Sequence, residues 1–395
     1  MNRLAKAFTE GTHRWCRPRE TLDRINPHLV AMGITRNADV TGLDCLKIPT
    51  FCSIRPQGKI LQVSNGKGLT SEAAEVSALM EAIELYHAEN PPAELRRSTA
   101  LEMRDSGDRF WVPVKENADR PTCYYSSTYV MDWVLGADIL CGEPTWIVAS
   151  IPYVCTPSLL KWNSNGLASG NHIVEATLHG LYEVVERDSI TLFGERADER
   201  RHVDLDTIDD PSILDLLSRI HSAGLEVCLI YGPNRVPVHT FWAAIIDRNA
   251  FAASTRLVGG SGSHLCPAVA ASRALTEAAQ ARLGLIHASR EDLVMHYSER
   301  YSHEVFDIMM DAPVNTCWQQ FEDRSTDNLE NDLDLILGDL RAAGMEHVYR
   351  VDLTRSEFEI PVARVIVPGL GVDPRLLGQG GSSLSLRAGL TGEQR

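Results

Sequence analysis

Between Asn165 and Ser189 the chain reads NGLASGNHIVEATLHGLYEVVERDS, and the acids Glu175, Glu183 and Glu186 fall with Asn171, His179 and Arg187 on one side of a single expected helix. An α-helix turns about 100° per residue, so positions i, i+4 and i+7 share a narrow stripe. The same spacing recurs at Ser77, Glu81 and Glu84, and again at Arg273, Glu277 and Gln280. Solvated helix faces normally interleave acids with lysines for i,i+4 pairing, and these stripes carry almost none. Clustered carboxylates without lysines take their cations from elsewhere. Hard divalent metals bind carboxylate oxygens, and Mg2+ commonly bridges them to nucleotide phosphates. Lys67 and Arg187 are then placed to touch phosphate directly. The plainer reading, amphipathic helices with solvated acids, leaves the missing lysines unexplained.

The elements that must position these residues are long helices alternating with β-like segments. LTSEAAEVSALMEAIELYHAEN, NHIVEATLHGLYEVVERDSITLFGER and PAVAASRALTEAAQARLGLIHAS have helical periodicity. Val76, Met80 and Ile83 line the apolar arc of the first, and Ile173, Val174, Leu178, Leu181, Val184 and Val185 that of the second. CLKIPTFCSIRP, TWIVASIPYVCT, LEVCLIYGP, HTFWAAIIDR and PVARVIVPGL read as strands. The mixture predicts an α+β or mixed α/β fold, with the strands in a shared sheet. Small residues flank the acids: Ala74, Ala78 and Ala88, then Ala176 and Gly180, then Ala270, Ala274 and Ala281. They leave room for something to approach. Each helix follows a glycine-rich stretch (SNGKGLTS, SNGLASGN, GGSGSH), where backbone N–H groups can come close to phosphate.

The chain has 395 residues and a formal net charge of −15. Such a field disfavours nucleic acid and anionic membranes, and it disfavours ATP unless metal ions intervene. The N-terminus lacks the apolar core of a signal peptide, and no stretch reads as a membrane span, so the expected location is the cytoplasm. Nine scattered cysteines without a CxxC pair read as reduced thiols, and Cys266 as a buried structural one. Residues 1–44 are expected to form a helical extension, and 45–395 a catalytic domain with a C-terminal tail.

A Walker loop, the kinase HRD and DFG triplets and a dinucleotide fingerprint at a strand–helix junction are all missing. The segments SALMEAIE, GLASGNHIVEATLHGLYEVVERD and SRALTEAAQAR instead resemble the three ATP-binding motifs of the YcaO family, across about residues 45 to 370. The resemblance implies a fold in which acids on several helices hold Mg2+ against ATP. The metal ligands would be Glu81, Glu84, Glu175, Glu183, Glu186 and Glu277. Lys67, Ser77, Asn171, Arg187, Arg273 and Gln280 would bind the nucleotide, with no catalytic residue singled out. It also implies activation of a peptide backbone amide by phosphorylation of its oxygen, giving an azoline from Cys, Ser or Thr, or a thioamide from sulfide. The tail, LSLRAGLTGEQR, lacks the alternating prolines of many azoline-forming members, and the short N-terminal extension is too small for a peptide-clamp domain. The expected product is therefore a thioamide, made on a precursor peptide or protein with a TfuA-like or other peptide-recognition partner. A homodimer is left open. A rival from another class is a non-catalytic nucleotide-binding accessory factor, against which all the motif glutamates speak.

Overall fold

The computed structural model describes residues 4–113, 125–156, 158–159, 162–250, 255–288 and 313–371. The tail LSLRAGLTGEQR lies outside the described residues. The chain divides into two compact units, Met1–Ile83 with Ser189–Asp332, and Glu84–Asp188 with Leu333–Arg395. Among the described residues there are seven α-helices and three sheets rather than one shared sheet. The helices are α1 (Pro18–Ile25), α2 (Ser71–Glu89), α3 (Ala100–Asp105), α4 (Ile173–Glu195), α5 (Pro211–Ser222), α6 (Pro267–His287) and α7 (Leu329–Ala342).

The first unit holds two sheets. Strands β1 (Arg36–Asp39), β2 (Thr50–Ile54) and β3 (Val63–Lys67) form an antiparallel meander in the order β1-β2-β3. The first 44 residues therefore contribute a strand to a shared sheet as well as the short helix α1. The second sheet runs β12-β11-β10-β9-β13, from β9 (Arg201–Asp204), β10 (Glu226–Tyr231), β11 (His239–Ile246), β12 (Leu257–His264) and β13 (Thr316–Cys317). Side chains alternate across β11. Phe241, Ala243 and Ile245 enter the main core with Ile213, Leu217 and Ile220 of α5 and Ala270, Ala274 and Leu275 of α6. Ala244 and Ile246 pack on the other face with Phe193, whose ring stacks on Trp242 at 4.5 Å. Helix α5 starts where Asp210 accepts from the Ser212 and Ile213 amides and Pro211 fills the first position, which needs no donor.

The second unit holds one seven-stranded sheet of β4 (Arg96–Thr99), β5 (Phe110–Trp111), β6 (Val130–Asp138), β7 (Glu143–Val148), β8 (Leu167–Ser169), β14 (Tyr349–Asp352) and β15 (Val362–Ile366). Its order is β5-β7-β6-β14-β15-β8, with β4 also on β6. Trp133 is fully buried among Ala100, Met103, Met131 and Val148, and its indole N–H donates to Ser98 O at 3.0 Å.

Glycines bring strands onto helices at backbone contact. A Cβ on Gly66 of β3 would lie 2.0 Å from Ala78 N and 2.3 Å from Ala74 O of α2. A Cβ on Gly262 of β12 would lie 2.2 Å from Ala270 O and 2.8 Å from Ala274 N of α6. The two strand–helix pairs of the first unit are thus built alike. In the second unit a Cβ on Gly180 of α4 would lie 2.9 Å from Gly166 O and 3.0 Å from a Val365 methyl of β15. This corrects the expectation that the small helix residues leave a space. At these positions the approaching group is the neighbouring strand, and Ala74, Ala78, Ala270 and Ala274 have no exposed surface.

Candidate nucleotide and metal site

The stripes keep the spacing read from sequence, but they are not solvated faces. Glu175 and Glu186 are 3% exposed. Ser77, Glu81, Glu84, Glu183, Arg187, Arg273, Glu277 and Gln280 are half-buried, each beside fully buried neighbours.

In the first unit four of the expected residues meet at β3. The Asn65 amide donates to Glu81 Oε2 at 3.1 Å. Gln280 donates its Nε2 to Asn65 O at 2.7 Å. Lys67 Nζ donates to Glu277 Oε2 at 2.7 Å, while Glu277 Oε1 accepts from the Ser261 amide and hydroxyl, both at 3.4 Å. Strand β3 ends its sheet and β12 ends the other, so Asn65 and Ser261 present edge amides that a carboxylate can satisfy. Both glutamates lie sixteen residues after the amide they accept. Ser77 and Arg273 occupy equivalent places, one turn before Glu81 and Glu277 on their helices.

In the second unit the device recurs at a third edge strand. Glu84 Oε1 accepts from the Ser169 amide of β8 at 2.8 Å and from its hydroxyl at 2.6 Å. Glu175 Oε1 accepts from the Asn171 amide at 3.3 Å and from its Nδ2 at 3.4 Å, holding the N-terminal approach to α4. Arg187 lies 3.8 Å from both Glu183 and Glu186, near enough to share charge without a close hydrogen bond. Arg364 of β15 was missed by the spacing argument. Burial pushes its pKa down to about 10, and the charge of Glu183 opposes that shift. Cys266 is buried as expected, and burial pushes its thiol up to about 11.

Edge amides fix one oxygen of each carboxylate, and carboxylate oxygens are what a hard cation takes. Among the described residues no three or more acids, cysteines or histidines are gathered to hold a metal ion. Mg2+ seldom needs such a cage, since it takes one or two carboxylates and completes its shell with water and substrate phosphate. Glutamates one turn apart, as at Glu183/Glu186 in the second unit, fit that donor chemistry.

The model of the YcaO cyclodehydratase family, described as ATP- and Mg2+-binding, matches residues 65–371. A Methanothermobacter thermautotrophicus protein of unassigned function is 36% identical over 92% of this chain and 97% of its own. A protein from the tfuA 3′ region of Rhizobium leguminosarum bv. trifolii is 34% identical over 94% of this chain and 92% of its own. The fold matches that of YcaO from Methanopyrus kandleri, solved with AMPPCP and Mg2+, at a TM-score of 0.75 and 24% identity over 94% of this chain and 95% of that one. The chain belongs to the YcaO family.

Proposed function

We infer that the protein uses ATP and Mg2+ to activate a peptide backbone amide. A nucleophile adds to the amide carbon, the γ-phosphoryl group of ATP passes to the former carbonyl oxygen, and that oxygen departs as phosphate. With sulfide as nucleophile the net change replaces oxygen by sulfur. With a neighbouring Cys, Ser or Thr side chain it removes water and closes an azoline. The observation that carries the reading is the clamping of Glu81, Glu84 and Glu277 on edge-strand amides, within the motifs of an ATP- and Mg2+-binding family.

In this reading Glu81, Glu84, Glu175, Glu183, Glu186 and Glu277 supply the carboxylates for Mg2+. Lys67, Ser77, Asn171, Arg187, Arg273 and Gln280 hold the nucleotide. Bound Mg2+ supplies the positive charge that lets a triphosphate sit among acids. Lys67 is held by Glu277 and is released to the nucleotide when that carboxylate takes a cation. The edge amides keep the acids in place, so little reorganisation is needed as charge moves in phosphoryl transfer. The thioamide product is favoured by the likeness to the tfuA-region protein, and a TfuA-like partner then presents the peptide. The azoline product is the second reading, favoured by the family's description as cyclodehydratases. No helix among the described residues is long and apolar enough to cross a membrane.

Calorimetric titration with ATP tests the nucleotide reading. Binding is expected with Mg2+ and at least about tenfold weaker in EDTA, since bare triphosphate would face the acids alone. Equal affinity in both conditions would refute it.

A further inference from the structure

Arg364 carries a charge deep in the second unit, with 4% of its surface exposed. Its Nη1 donates to Asn163 O at 2.8 Å and its Nη2 to Asn163 Oδ1 at 3.3 Å. Its Nε has no partner among the described residues. Trp162 lies beside it, the ring centre 5.9 Å from the guanidinium carbon. Strand register sets its surroundings: Arg364 opposes Leu167 and Val362 opposes Ser169, so these four share one face of the sheet. Val365, on the other face, is the residue that α4 meets at Gly180. The guanidinium thus shares its face with Ser169, the anchor of Glu84, and it feels the charge of Glu183.

A guanidinium taken out of water is costly unless an opposite charge compensates; Asn163 offers only neutral oxygens, and among the described residues Glu183 acts on Arg364 through its charge without a hydrogen bond to it. A leucine or methionine would fill this strand position without that cost. The placement makes sense if an anion completes the shell. The Nε edge of a guanidinium presents parallel donors that match two oxygens of a phosphoryl group. The 3.3 Å bond to Asn163 Oδ1 is the weaker one, and that oxygen also accepts from the Asn165 amide at 3.0 Å, so it can release Nη2 and stay satisfied.

We propose that Arg364 is a binding residue for a phosphoryl oxyanion, its Nε edge donating to the phosphate chain of the bound nucleotide and Asn163 holding the fork in register. This deepens the nucleotide reading and rests on it. Arg364→Met keeps length and apolar stem while removing the charge, and Arg364→Lys keeps the charge but loses the fork. Asn163→Ala releases the fork from a partly exposed residue without opening the core.

Mg·ATP affinity is measured by calorimetry for each protein, with melting temperature alongside. Arg364→Met is expected to bind at least about tenfold more weakly than wild type while still folding. Arg364→Lys should recover part of the loss, and Asn163→Ala should weaken binding several-fold. Wild-type affinity in a folded Arg364→Met protein overturns the proposal. So does an Arg364→Met protein that fails to fold together with unchanged binding in Asn163→Ala, which makes the residue structural. A wild type that does not bind Mg·ATP removes the nucleotide reading itself, and this proposal with it.

Discussion

At the scale of single residues the acids divide by what holds them. Glu81, Glu84 and Glu277 are tied to edge amides, whereas Glu183 and Glu186 share Arg187 at 3.8 Å. A Glu→Gln change keeps volume and an acceptor oxygen but removes the charge a hard cation requires. Glu186→Gln is therefore expected to fold with a stability change within about 1 kcal/mol and to lose Mg·ATP-dependent turnover by about 100-fold or more. Steady-state kinetics beside a thermal melt check this, and a variant that melts far lower yet turns over normally would make Glu186 structural. The stripe residues were legible in the sequence because helical spacing alone sets which of them share a face. Asn65, Ser169 and Ser261 were not, because an acid's edge-amide partner depends on which strand ends a sheet. No local pattern encodes that.

At the scale of elements the strand–helix contacts decide where the acids can point. Gly66 and Gly262 let β3 and β12 lie against the alanines of α2 and α6, so the glutamates beyond those contacts arrive at the strand edges. Gly66→Ala would drive a methyl into main chain at 2.0 Å, which no side-chain rotamer can relieve, and should destabilise by about 2–3 kcal/mol or more. Gly338 of α7 is the contrast: it is exposed and helical, with nothing within 4 Å of an added Cβ. Gly338→Ala should stabilise by about 1 kcal/mol through helix propensity. Chemical denaturation of both variants tests the pair, and a neutral Gly66→Ala would contradict the close-contact account. The long helices and the main strands were readable from periodicity. Their division among three sheets was not, since pairing joins segments as distant as β8 and β15. The glycine-rich approaches were visible too, but sequence could not tell a glycine that admits phosphate from one that admits a helix.

At the scale of the whole molecule a chain of net charge −15 binding a polyanion needs cations, and its acids are anchored ready for them. The family follows from a match over residues 65–371, and the fold from likeness to a solved member across most of the chain. In the proposed reading the product depends on the nucleophile and on a partner that presents the peptide, which belong to other molecules. Mass spectrometry of the peptide reads ATP-driven exchange at a backbone amide directly. With the TfuA-like partner, ATP, Mg2+ and sulfide, an amide is predicted to gain about 16 Da, and to gain nothing when ATP is omitted. A loss of about 18 Da without any need for sulfide would instead identify an azoline and overturn the thioamide reading while keeping amide activation. An unchanged peptide mass under every condition, from a protein that binds Mg·ATP tightly, would contradict the account and leave a nucleotide-binding accessory protein in its place.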